Sequence, residues 1–81
     1  MPVILRHKGY RFFFFSNEET PRKPFHIHVR EGERIAKFQL EPDIQLLENY
    51  GFSPRQLAEI WDITFQHHDF MKEKWIEYFG N

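Results

Sequence analysis

The sequence contains no cysteine, which excludes both a disulfide framework and a thiolate metal site. It has no apolar run approaching the roughly 20 residues of a membrane span. Its amino terminus, MPVILRHK, lacks the apolar core of a signal peptide. Internal repeats and low-complexity linkers are absent too. These absences lead us to expect a soluble, cytoplasmic protein. The 81 residues leave room for one core, so residues 1–81 read as a single domain. At this size folding buries only about 60 to 65 % of the surface of the unfolded chain, and no covalent staple compensates.

What the chain has in place of staples is aromatic bulk: ten Phe, three Tyr and two Trp. Each can bury roughly 150–250 Å², a heavy load for so short a chain, and a second subunit or a partner is expected to cover part of it. The net charge of −1 conceals a division. Residues 1–40 carry eight Lys/Arg against four Asp/Glu, and residues 41–81 carry three against eight. A basic half and an acidic half imply a directed surface, for an anionic ligand or a self-complementary contact.

VILRH and YRFFFFS are rich in β-branched and aromatic residues and are separated by Lys8-Gly9, a hairpin signal. SNEETPRKP, residues 16–24, holds two prolines and several charges and reads as a loop. FHIHVRE and ERIAKFQL form a second hairpin around Gly32, ended by Glu41-Pro42, with a short strand at Ile44-Gln45-Leu46-Leu47. Beyond Gly51, Ser53 is an N-cap, Pro54 takes the first helical position and Gln56 completes a capping box. Phe52 and Leu57 occupy the positions of a hydrophobic staple. Apolar residues at 57, 60, 61, 64, 71, 75 and 78 keep helical period up to Gly80, a C′ residue. Unbroken, such a helix is about 39 Å long, and a break near His67-His68 is the alternative. The sequence therefore predicts an α+β fold: an antiparallel sheet of four or five strands over 1–50, then a long C-terminal helix or helix pair over 53–80, packed on one face.

Strand side chains alternate, so Phe25, Ile27 and Val29 share one face while His26, His28 and Arg30 share the other. With Glu31-Gly32 as the turn, Ile27 faces Ala36 and His26 faces Lys37. Shifting the turn by one residue changes partners but not faces, and Lys37 and Gln39 stay with the histidines. In the first hairpin Val3, Leu5, Tyr10, Phe12 and Phe14 form the set expected under the helix. Ile4, Arg6, Arg11, Phe13 and Phe15 fall opposite. One sheet would thus gather Arg6, Arg11, Phe13, Phe15, His26, His28, Arg30 and Lys37 on the face away from the helix. Such a surface suits stacked bases and phosphates, or a protein partner.

Three chemistries compete for His26 and His28. As metal ligands their Cβ atoms stand about 7 Å apart, and a third ligand would have to come from His7, His67, His68 or Asp69. As an acid–base pair they would deprotonate a ribose 2′-hydroxyl and protonate the leaving oxygen. Lys37 and Arg30 would hold the phosphate in that metal-independent ribonuclease, which requires no cofactor. As ordinary strand residues they would be half-exposed, each with a ring nitrogen bonded to backbone or to the 17–24 loop.

MPVILRHKGYRFFFFSNE, then P-x-HIHVR, AKF-x-LEP and a closing W-x-x-Y-F resemble the small prokaryotic family known as domain of unknown function 4160. The likeness extends over nearly the whole chain. The usual P-P-H-I-H-V of that family reads here as Pro24-Phe25-His26-Ile27-His28-Val29, with one proline missing. The resemblance implies the toxin-like half of a two-gene pair of toxin–antitoxin type, whose partner is a small antitoxin-like protein from the neighbouring gene. Its motif residues carry over as His26, His28, Arg30, Lys37 and Glu41, without catalytic roles. The leading expectation is a toxin-like protein acting on RNA as ribonuclease or RNA-binding inhibitor. His26, His28 and Lys37 would be catalytic, and Arg6, Arg11, Arg30, Phe13 and Phe15 would contact nucleic acid. The alternative is a non-catalytic module binding its neighbouring-gene partner or a second copy; a His-x-His metal protein is the third reading.

Overall fold

The computed structural model describes residues 3–14 and 25–79. Five strands, β1 (Val3–His7), β2 (Tyr10–Phe13), β3 (His26–Glu31), β4 (Arg34–Gln39) and β5 (Gln45–Tyr50), precede two helices, α1 (Pro54–Gln66) and α2 (His68–Phe79). The strands form one antiparallel meander in the order β1-β2-β3-β4-β5. The result is the α+β arrangement that the hydrophobic periodicity predicts. The 17–24 loop, Phe15 and the expected C′ residue Gly80 lie outside the described residues.

Lys8 and Gly9 turn the first hairpin with φ of 54° and 85°, the two positive values that a tight type I′ turn demands. Pairing runs His7↔Tyr10, Arg6↔Arg11 and Leu5↔Phe12, then slips to Val3↔Phe13. This bulge overturns part of the expected face assignment. Ile4 and Leu5 both pack against the core, whereas Val3 leaves the core set for a groove it shares with Arg11, Phe13 and Arg30. One extra residue lets two adjacent apolar side chains turn inward where strict alternation allows one.

The second hairpin turns at Gly32-Glu33 rather than Glu31-Gly32, because Gly32 supplies the positive φ of 61°. Ile27 therefore opposes Phe38, and His26 opposes Gln39 in place of Lys37, whose partner is His28. The faces are unchanged. A second slip, between Lys37 and Phe38, lets Leu46 pair with Phe38 and Glu48 with Lys37 while Leu47 is passed over.

The helices begin as the local sequence dictates. The Ser53 hydroxyl accepts the Gln56 backbone N–H at 3.2 Å, and Gln56 Oε1 accepts the Ser53 N–H at 3.0 Å. The Asn49 side chain bonds both backbone groups of Phe52 at 3.1 Å, fixing the approach to α1. Of the two alternatives for the helix, the broken one is realised. Residues 54–79 in one helix would run about 39 Å, longer than the 33 Å maximum extent of the molecule. At the break, the His67 ring Nδ1–H donates to the Ile63 carbonyl at 2.9 Å. The His68 ring Nε2–H donates to the Leu40 carbonyl at 2.7 Å, pinning the start of α2 to the end of β4.

Tyr10, Phe12, Phe14, Ile27, Val29, Ala36, Phe38 and Leu40 from the sheet meet Phe52, Ile60, Ile63, Met71 and Trp75 in one buried cluster. Trp61 and Tyr78, counted with the helical seam from their spacing, lie 42 % and 43 % exposed instead. The buried residues of the two helices, Ile60, Ile63, Thr64, Met71 and Trp75, keep one helical period across the break. No helix among the described residues is long and apolar enough to cross a membrane.

Candidate anion-binding sheet face

The face of the sheet opposite the helices is organised in rows by the strand register. Arg6 opposes Arg11, and Arg11 opposes Arg30. Three arginines thus stand on adjacent positions across β1, β2 and β3. Like charges directly opposite one another destabilise a sheet, so this row opposes folding rather than aiding it. Arg6 and Arg30 are exposed and Arg11 is half-buried. Among the described residues none of the three forms an ion pair. Arg30 is steadied by donating from Nε to the Gly32 carbonyl at 3.0 Å.

The neighbouring row runs Val3, Phe13, His28, Lys37 and Glu48. The Phe13 and His28 rings stack at 5.6 Å and 21°. His26 and His28 stand edge to face at 5.6 Å, and His26 also meets the indole of Trp75 at 5.1 Å. The structure therefore does bring the two histidines together, but it also closes them off. They are 6 % and 7 % exposed, and Phe13 is 4 % exposed. Half-exposed strand histidines, the plainest expectation from the sequence, are not what the fold contains. Alternation along a strand gives the direction of a side chain but not what lies over it.

Two shallow grooves open on this face. One, of about 130 Å³, is lined by Val3, Arg11, Phe13 and Arg30. The other, of about 110 Å³, is bounded by His28, Ile35, Lys37, Glu48 and Tyr50 among others. Sequence reasoning missed Tyr50 and Glu48 here. The only hint was the short strand at 44–47, which in fact continues to Tyr50 and carries both residues onto the histidine face.

No cluster of three or more metal-ligating side chains occurs among the described residues. The proposed third ligands lie elsewhere. His7 packs on His67 at 5.7 Å, and His68 is committed to Leu40 and lies near Glu41 and Asp69. Lys37 sits on the strand beside His28, half-buried, where the alternation argument puts it.

No curated protein and no solved structure matches the chain. A family model described as Domain of unknown function (DUF4160) matches residues 9–76, from the first hairpin turn through most of α2. By that match the chain belongs to the DUF4160 family.

Proposed function

We propose that this chain is an RNA-directed, toxin-like component of a two-gene module of toxin–antitoxin type, and that it works by binding RNA through the sheet face opposite the helices. The observation that carries the reading is the row Arg6–Arg11–Arg30. Guanidinium groups pair phosphates in a planar, two-pronged geometry. A polyanion is the ligand whose binding relieves the mutual repulsion of such a row. Lys37 adds a fourth cation in the groove that His28 and Tyr50 also line, and the exposed Tyr50 ring offers a base a surface to stack on. Binding is better supported than cleavage. A ribonuclease acid–base pair must reach both the 2′-hydroxyl and the leaving oxygen, and His26 and His28 are nearly shut off from solvent.

The test is anisotropy titration of a labelled single-stranded RNA at several salt concentrations. Each lost phosphate contact is expected to flatten the slope of log K against log salt by about 0.7. Arg6→Gln, Arg11→Gln and Arg30→Gln should each do so, while His26→Gln should leave the slope alone. An absence of RNA affinity, or a salt slope indifferent to all three arginines, sinks the proposal. Intact RNA after long incubation supports binding over hydrolysis.

A second reading is favoured by β5. All six of its residues are exposed, it forms one edge of the sheet, and it displays Leu46, Leu47 and Tyr50. An exposed edge with apolar side chains is a template for strand addition. On this reading the chain is a non-catalytic module that binds its neighbouring-gene partner or a second copy. Sedimentation of the wild type and Leu47→Lys separates the two: self-association abolished by the lysine favours the edge.

A further inference from the structure

A larger depression lies on a different part of the molecule, where the β4–β5 connection meets the corner between α1 and α2. It encloses about 580 Å³, and its walls include Ile44, Trp61, Phe65 and Phe70 together with Asp43 and Asp69. Trp61, Phe65 and Phe70 are 42 %, 59 % and 38 % exposed. The Trp61 and Phe65 rings, one helical turn apart, stack in parallel at 5.3 Å and 6°. Single exposed aromatics need no explanation, but several around one concavity mark an interaction site.

Asp43 and Asp69 are exposed, and no Lys or Arg among the described residues lines the cleft. His67 and His68 also line the cleft, and Lys74 lies over the Phe70 ring at 5.6 Å. The nearby Lys72 is held by Glu41 at 3.4 Å.

We infer that this cleft is a docking site for a partner protein that presents a projecting segment combining an apolar side chain with arginine or lysine. The apolar side chain fills the cleft against Ile44 and Phe70. The cation lies over the exposed faces of Trp61 and Phe65, an attraction that operates within about 6 Å of a ring centroid. Asp43 and Asp69 supply the opposite charge. A second copy of the chain is the competing occupant, and self-association separates it from a different partner. The inference is independent of RNA binding, which uses the opposite charge on another face.

The test uses the full chain and a fluorescein-labelled synthetic peptide of alternating leucine and arginine, with the leucine/glutamate and serine/arginine peptides as comparisons. The leucine/arginine peptide is expected to bind and to shift the emission of Trp61, since Trp75 is 0 % exposed. The double variant Asp43→Lys/Asp69→Lys, and separately Phe65→Ala, should each weaken binding by roughly tenfold. All three positions are exposed, so an unchanged circular dichroism spectrum is expected and checks that the fold survives. The inference is overturned by no binding, by equal binding of all three peptides, or by affinity insensitive to both variants. Self-association of the wild type that Asp43→Lys/Asp69→Lys abolishes also overturns it, by giving the cleft to a second copy.

Discussion

The Tyr10 hydroxyl donates a 2.8 Å hydrogen bond to Glu59 Oε1, joining the second strand to the first helix across 49 positions of sequence. Lys8 reaches the other carboxylate oxygen at 3.5 Å. Burial, then the bond to Glu59 and the charge of that carboxylate, push the Tyr10 phenol up from 10.0 to about 12. The bond from Tyr10, and then Lys8, hold the Glu59 carboxyl below its ordinary value. Tyr10 is favoured protonated in the fold, so its contribution is complete below pH 10 and fades between pH 10 and about 12. Glu59 is favoured ionised, so its contribution is present above the ordinary carboxylate range and is lost as pH falls through its lowered value. Tyr10→Phe should lower stability at neutral pH by about 1 kcal/mol. It should also remove the alkaline loss above pH 10, read by urea denaturation across pH. An unchanged alkaline limb would mean that another group governs it.

Trp75 is the hub of the core. Its ring meets Phe79 at 4.4 Å, His26 at 5.1 Å, Phe14 at 5.2 Å and Phe25 at 5.3 Å. Its indole N–H has no hydrogen-bond partner among the described residues. Replacement by Phe therefore forfeits volume but no polar bond, and should cost about 1 kcal/mol. Trp75→Ala should cost about 3–5 kcal/mol. Similar losses for both in denaturant melts would show that the indole N–H matters after all.

Arg11 stands between Arg6 and Arg30. Arg11→Gln should raise stability by about 0.3 kcal/mol at low ionic strength, while weakening RNA binding. In about 1 M salt, where charges are screened within roughly 3 Å, the stability gain should vanish. Destabilisation by this substitution at low salt would argue that the guanidinium serves the fold.

Gly51 joins the last strand to the first helix at φ +103°, and a Cβ there would come within 3.1 Å of Arg34 Cγ. Gly51→Ala adds backbone strain to that crowding, and is expected to cost more than about 1 kcal/mol. Adding Arg34→Gly should not restore the loss, since the backbone strain persists. Full recovery in a thermal melt of that double variant would place the whole cost in the clash.

The readable parts of this chain were those governed by neighbours in sequence. Lys8-Gly9 and Ser53-Pro54-Arg55-Gln56 each carry their own conformational instruction, a pair of positive φ values and a reciprocal cap. Alternation assigned the faces of the second hairpin because a turn displaced by one residue moves each pairing by two positions and leaves faces unchanged. Val3 failed that reasoning because a bulge costs little locally and is decided by which side chains the core can accept.

What only the tertiary structure decided is the lateral arrangement. The pairing of Arg11 with Arg30 is set by the packing of the second strand on the third, not by a tight turn, so no short motif encodes the arginine row. The burial of His26 and His28 likewise depends on groups distant in sequence, Trp75 among them. Trp61 and Tyr78 fit the helical spacing yet stay exposed, because spacing gives the direction of a side chain and not what covers it. The sequence determined which residue types line each strand and where the first helix starts, since those depend on local backbone preference. The fold decided which cations become neighbours and which aromatics stay uncovered, because both follow from long-range packing.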